Sequence, residues 1–386
     1  MKPDFNGNIR SKLPQAGTSI FTVMSALSAE HKAINLSQGF PDFEVDPQLI
    51  KSINKAMKSG HNQYAPMQGL LSLRERISEK VEKLYGRSYH PDTEITITAG
   101  ATQAIYSAIT AVVGEGDEVI LFTPAYDCYA PTIKLNGGTP KYIQLKSPDF
   151  RIDWEEVKQA VNFKTKLIII NTPHNPSGTI LSQEDMQALE KIVSGTDILI
   201  LSDEVYEHII FDGIEHQSVA RYPGLAERSF AVYSFGKTFH ATGWKMGYCL
   251  APSFLMEEFR KIHQFQVFAC NHPVQYGLAQ YLENEENYLN VAPMYQEKRD
   301  LFCELLEDSR FVVRPSQGTY FQLLDYSQIS DEEDAELAAK WTEEFKVSSI
   351  PVSVFYHNPI QNKVLRFCFA KQNETLEQAA KILRKI

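Results

Sequence analysis

Short runs of β-branched and aliphatic residues recur through the middle of the chain, separated by stretches of helical period. Glu94-Ile-Thr-Ile-Thr98, Glu118-Val-Ile-Leu-Phe122, Lys166-Leu-Ile-Ile-Ile170, Ile198-Leu-Ile-Leu-Ser202 and Phe230-Ala-Val-Tyr-Ser234 read as strands, and Met246 to Ala251 as one more. Gln103 to Val113, stopped by Gly114, reads as a helix between two of them. Apolar strands alternating with helices predict an α/β fold, with a mostly parallel sheet covered by helices on both faces. Upstream, Pro47 to Ser59 and Leu70 to Leu84 have helical period, with Gly60 and Gly86 at their exits. A short helical stretch, Ile20 to Leu27, follows an N-terminal arm. From about Asn284 the rhythm changes. Long polar helices, Tyr288 to Leu306 and Asp331 to Phe345, flank shorter strands at Thr319–Leu324 and Val364–Phe369. The expected division is an arm plus part of a small domain over 1–45, a large domain over 46–284, and a smaller α+β domain over 285–386.

Composition narrows the function. A length of 386 residues suits a large domain plus a smaller one, and a formal charge of -10 argues against a general nucleic-acid surface. The five cysteines (Cys128, Cys249, Cys270, Cys303, Cys368) are scattered without close pairs. That suits reduced thiols better than disulfides or a metal site. Met1 to Pro14 has no apolar core of signal-peptide length, and no run approaches a membrane span. The expectation is a cytoplasmic protein with no metal, no nucleic acid and no membrane partner.

In such a sheet, ligands bind beyond the carboxyl ends of the strands, so the residues just after each strand carry the interest. Gly100, Ala101 and Thr102 open a helix directly after a strand, where small residues and the helix dipole favour a phosphate. Ser234 and Lys245 could add a hydroxyl and a cation. Lys237 follows an apolar, aromatic run, and a lysine whose pKa is lowered by burial or by a nearby cation can form a Schiff base with an aldehyde. A surface lysine after a strand is the plain alternative. Asp203 ends an apolar strand and is expected to be buried, in need of a cationic partner or, alternatively, acting as a helix N-cap. Tyr206 lies on the same side if that segment is helical. Asn175 sits in a rigid turn, Asn171-Thr-Pro-His-Asn-Pro-Ser-Gly178, and Tyr126 offers a flat ring. Arg366, in an apolar strand, suits a carboxylate unless that strand is an edge open to solvent.

Together these residues resemble the pyridoxal-phosphate-dependent aminotransferases of fold type I, class I/II. The motifs are Tyr64-Ala-Pro-Met-Gln-Gly-Leu, Ala99-Gly-Ala-Thr-Gln, Asn171-Thr-Pro-His-Asn-Pro-Ser-Gly, Ser202-Asp-Glu-Val-Tyr and Ser234-Phe-Gly-Lys-Thr-Phe. Ser37-Gln-Gly-Phe-Pro-Asp-Phe, Tyr126-Asp-Cys-Tyr and Thr242-Gly-Trp-Lys-Met-Gly-Tyr are similar to the kynurenine/glutamine transaminase branch, which includes bacterial methionine aminotransferases. Lys245 stands where most of the wider class has an arginine, as in that branch.

The resemblance implies roles. Lys237 would bind pyridoxal phosphate covalently and shuttle the proton, and Asp203 would pair with the pyridine nitrogen. Tyr206 and Asn175 would meet the cofactor's phenolic oxygen, and Tyr126 would stack on its ring. Ala101, Thr102, Ser234 and Lys245 would hold the phosphate, with Tyr64 reaching in from the second subunit of a homodimer. Arg366, Asn175 and the backbone of Gly39 would take the substrate carboxylate. Phe21, Tyr64, Tyr126 and Phe268 would favour apolar or aromatic amino acids, and no second arginine is placed for a dicarboxylate. The expected reaction is ping-pong transamination to a 2-oxo acid. A carbon–sulfur β-lyase on the same scaffold is the alternative. A cofactor-binding regulator would need a fused DNA-binding domain, which the short N-terminal segment, without the length or the basic charge for one, is not expected to supply, and a nicotinamide dehydrogenase would need a glycine fingerprint after its first strand, which is missing.

Overall fold

Alternation along each central strand divides its side chains between two apolar cores. Ile168 and Ile170 enter one, while Leu167 and Ile169 enter the other. Ile200 and Leu201 part in the same way, as do Val119 and Ile120. Such strands need cover on both faces. The computed structural model describes residues 10–358 and 360–386, so the first nine residues of the expected arm lie outside the described part.

Seven strands form the large sheet, in the order Ile95–Thr98, Gly247–Leu250, Ser229–Ser234, Leu199–Asp203, Thr165–Asn171, Glu118–Thr123, Thr139–Gln144. All neighbours pair in parallel except Gly247–Leu250, which is antiparallel to both of its partners. The edge strand Thr139–Gln144 escapes the hydrophobic pattern. It is half exposed along its length and contains Pro140, which a sheet edge tolerates.

The helix expected from Gln103 begins at Ala101 and ends at Val112. Gly100, at φ +79°, turns the chain so that the helix starts at once. Gly247 lies close beside this turn, and a methyl group there would come within 3.0 Å of the Ala101 nitrogen.

A four-stranded antiparallel sheet follows, in the order Ile350–Pro351, Val364–Cys368, Phe321–Asp325, Val312–Val313. Arg366 therefore sits on an interior strand, and the solvent-open edge is excluded. Ile34–Asn35 pairs in parallel with Val347–Ser348, so the segment after the arm joins this part of the molecule. The helix before it runs to His31, beyond the expected Leu27. A third core gathers Met24 and Leu36 with Tyr295, Phe302 and Phe367.

The long polar helix from Tyr288 is two helices, Glu286–Leu289 and Val291–Leu305. Pro293 lacks an N–H and is tolerated only in a first turn, so the second helix starts afresh. The next helix is Asp334–Phe345, begun three residues later than expected. Among the described residues, no helix is long and apolar enough to cross a membrane.

Candidate active site

The strands ending at Thr98, Thr123, Asn171, Asp203 and Ser234 open onto one cavity of about 260 Å³. Phe21, Gln38 and Gly39 close it from the N-terminal side, and Phe321 and Arg366 from the small sheet.

Lys237 lies on the four-residue helix Phe235–Thr238, whose start is capped by Ser234 accepting the Lys237 backbone N–H at 3.3 Å. Its amine donates to the Tyr320 hydroxyl at 2.9 Å and to the Gly39 carbonyl at 3.3 Å. Tyr320 donates in turn to that carbonyl at 2.6 Å. Burial lowers the Lys237 pKa to about 8, with the Arg366 and Lys245 cations adding to the effect. No carboxylate lies within ion-pair distance of the amine among the described contacts, so part of it is neutral near neutral pH and free to react.

Asp203 is buried and accepts a 2.5 Å hydrogen bond from Tyr129 and a 3.3 Å one from the Val205 N–H. Burial pushes its carboxyl up to about 6 against the pull of Tyr129. No helix follows it. Residues 205–208 form a turn, so the N-cap alternative and the helical placement of Tyr206 are both corrected. The turn nevertheless brings Tyr206 to the same cavity, edge-on to Tyr320 at 5.2 Å. Burial raises the Tyr206 pKa, so it stays a hydroxyl donor.

The far end is built for an anion. The helix Ala101–Val112 points its N-terminus at the cavity, and Lys245 leans over it: a methyl at Gly100 would lie 3.5 Å from the Lys245 Nζ. Lys245 itself adopts φ +53°, a strained left-handed conformation of the kind found at functional sites. Tyr126 stands across from it, its hydroxyl 3.4 Å from that of Thr102.

At the opposite end Arg366 is 1% exposed and lies over Phe321, its guanidinium carbon 3.9 Å from the ring centre. It donates to Asn175 Oδ1 at 2.7 Å and to the Ser37 carbonyl at 3.2 Å, while its buried Nε has no partner. A guanidinium so short of acceptors suits an incoming carboxylate. Asn175 is fixed by Asn171, which accepts its N–H at 2.9 Å and donates to the Asp203 carbonyl at 2.9 Å. The Asn175-Pro176 bond is cis.

The cavity thus gathers Phe21, Gly39, Gly100, Ala101, Thr102, Tyr126, Asn175, Asp203, Tyr206, Ser234, Lys237, Lys245 and Arg366. It leaves out Tyr64 and Phe268, which meet each other edge to face at 5.3 Å, 80% and 51% exposed. Sequence reasoning gave no role to Tyr129, Tyr320, Asn171 and Gln38, although Tyr129, Asn171 and Gln38 stand within its motifs. Asn171 ends an apolar strand as Asp203 does, so the same rule would have found it. Tyr129 and Tyr320 carry no such signal.

The aminotransferase class I and II family matches residues 31–383. The chain is 50% identical to the methionine aminotransferase of Escherichia coli (strain K12), over 98% of each chain. It is 35% identical to kynurenine–oxoglutarate transaminase 3 of Homo sapiens, over 95% of this chain and 88% of that one. It superposes with a TM-score of 0.95 and 49% identity on the crystal structure of an Escherichia coli protein identified as having a methionine aminotransferase function, covering 98% of this chain and 100% of that one.

Proposed function

The chain belongs to the class I and II aminotransferases and is a pyridoxal-phosphate-dependent transaminase of fold type I; from that premise we propose that its amino donors are apolar, sulfur-containing or aromatic, methionine foremost, with glutamine, phenylalanine and kynurenine as further candidates. The likeness to transaminases does not favour the β-lyase alternative.

The unpaired groups of the cavity fit the cofactor. A helix N-terminus with Lys245 suits a phosphate, a buried acid without a cation suits a ring N–H, and a lysine of lowered pKa suits an aldehyde. When bound, pyridoxal phosphate supplies an electron-accepting ring that stabilises negative charge at the substrate α-carbon. Ala101, Thr102, Ser234 and Lys245 would hold its phosphate, Asp203 its pyridine nitrogen, Tyr206 and Asn175 its phenolic oxygen, and Tyr126 one ring face. Lys237 would hold its aldehyde carbon until substrate arrives. Arg366 and Asn175, with the Gly39 backbone, seize the substrate carboxylate and so orient the α C–H bond. The freed Lys237 amine would take the α-proton and deliver it to the cofactor's former aldehyde carbon, so that the amino group stays with the cofactor when the 2-oxo acid leaves. Tyr320 and the Gly39 carbonyl keep that amine in place meanwhile.

Donor choice follows from charge. Among the described residues the cations lining the cavity are Lys237, Lys245 and Arg366, each with a task above, so a second substrate carboxylate finds no partner among them. Phe21, Ile105 and Tyr126 offer apolar contact instead.

Residues 46–284 form the proposed cofactor domain, 1–45 the arm and part of the small domain, and 285–386 the rest of the small domain. A homodimer in the cytoplasm, with Tyr64 completing the phosphate site of the second subunit, accounts for an aromatic residue left 80% exposed.

The observation that carries the reading is Lys237, Asp203 and Arg366 facing one cavity. To test it, the purified protein is mixed with single amino acids and loss of the cofactor's visible absorption is followed. Methionine should react at least ~10-fold faster than aspartate, because an unpaired buried carboxylate is costly. Preference for aspartate would sink the donor assignment. Visible absorption that borohydride leaves intact would sink the role of Lys237.

A further inference from the structure

The turn after Asp203 has a second, hidden face. Asp203 and Tyr206 look into the cavity, while Glu204 and Glu207 point the other way into the core, 0% and 6% exposed. Glu207 accepts from Lys80 at 2.5 Å and from Tyr85 at 2.5 Å, both on the helix Leu71–Tyr85, and from Tyr248 at 3.1 Å on the antiparallel strand Gly247–Leu250. His208 lies 3.4 Å away. Glu204 is held by Ser202, His216, Tyr233 and the Val219 N–H, all at 2.8–3.1 Å. Glu207 thus alternates with Tyr206 along a stretch whose own backbone bonds are few: Glu207 N–H to the Glu204 carbonyl at 2.9 Å and Ile209 N–H to the Tyr206 carbonyl at 2.8 Å.

We propose that Glu207 is a positioning residue for Tyr206: clamped by Lys80 and Tyr85, it fixes the turn from behind and so fixes where the Tyr206 hydroxyl points in the cavity. A turn lacks the ladder that holds a helix or strand, so an anchor on its far face is what sets side-chain direction on its near face. An ion pair this deep adds little net stability compared with apolar packing of the same volume, and conformational definition is the use it retains. Removing one partner of the pair leaves the other buried and uncompensated, and the turn then shifts to relieve it.

This inference rests on the reading that Tyr206 donates to the cofactor, and the test separates the two. Holoenzymes of wild type, Tyr206→Phe, Glu207→Gln and the double variant are titrated, and the pH midpoint of the bound cofactor's visible absorbance is read together with kcat and KM. Tyr206→Phe should move the midpoint up by about one unit, because the phenolic oxygen loses a donor that stabilises its charge. Glu207→Gln should move it the same way by roughly half as much and lower kcat ~5- to 10-fold, with KM within ~2-fold, since Arg366 and the phosphate site are untouched. In the Tyr206→Phe background Glu207→Gln should add no further shift, the mark of two residues acting as one unit. An unmoved midpoint in Tyr206→Phe overturns the Tyr206 assignment and this proposal with it. A shift there, with none in Glu207→Gln or with fully additive shifts, overturns the positioning role alone. Should Glu207→Gln fold poorly, Tyr85→Phe removes one donor to Glu207 and gives a milder case. A lowered melting temperature with an unmoved midpoint in that variant likewise overturns the proposal.

Discussion

Asp203, the last residue of its strand, and Glu207, in the turn that follows, are buried alike and have opposite fates. Around Glu207 burial opposes ionisation, yet the Lys80 and His208 contacts hold its carboxyl well below the ordinary range. Around Asp203 burial wins and pushes the carboxyl up to about 6, because its partners are one hydroxyl and one N–H. Lys80 and Lys237 repeat the contrast in their partners alone, since burial lowers the pKa of both. Lys80 meets a carboxylate, while Lys237 meets a hydroxyl and a carbonyl. A buried charge that is fully paired belongs to the frame. One left short of a partner marks where the ligand supplies it.

The largest effect that tests this contrast is at Lys237. Lys237→Ala should cut kcat by roughly four orders of magnitude, since both the covalent attachment and the proton carrier are lost. Near wild-type turnover would place the chemistry elsewhere. Next is Arg366→Gln, which removes the guanidinium and leaves Asn175 without its 2.7 Å partner. We expect kcat/KM to fall ~100- to 1,000-fold, chiefly through KM, as for truncation of one member of a buried charge pair. A loss confined to kcat would mean that Arg366 does not bind the substrate.

A stability measurement reads the same contrast without turnover. In the cofactor-free protein Lys237 binds its proton more weakly folded than unfolded, with a pKa of about 8 against 10.5. Between those values the unfolded chain holds more protons, so stability must rise with pH. Relative to Lys237→Met, cofactor-free wild type should gain up to about 3 kcal/mol from pH 8 to 10.5 in urea unfolding. Equal slopes for the two proteins would show that the amine is not perturbed by burial.

What could be seen in the sequence follows the same division. The strands were legible because both faces of each are apolar, and Asp203, Lys237 and Asn175 because polar groups interrupt such runs at their ends. Thr139–Gln144 was hidden because an edge strand is half exposed and so has no apolar run to detect. Tyr129 and Tyr320 were hidden for a different reason. Each is an ordinary aromatic in sequence, and each matters only because tertiary packing brings its hydroxyl 2.5 Å from Asp203 or 2.9 Å from Lys237. Glu207 was hidden behind its own turn, whose helical reading failed because its backbone bonds make a turn only.

Tyr129 therefore offers the finest test, because among the described residues it alone donates from a side chain to the Asp203 carboxylate. Burial raises the Asp203 pKa and the Tyr129 hydrogen bond lowers it, so deleting that hydroxyl should let burial act further. If activity needs the ionised carboxylate, the acid limb of the kcat profile of Tyr129→Phe should move up by about one unit, the size of a hydrogen bond to a charged group. On that limb the variant should run several-fold slower than wild type, and well above it the two should nearly coincide, since Asp203 is ionised in both. A constant deficit at every pH would mean that Tyr129 supports packing alone. An acid limb moved downward would mean that the neutral acid is the working form, and the contrast between Asp203 and Glu207 would lose its chemical meaning.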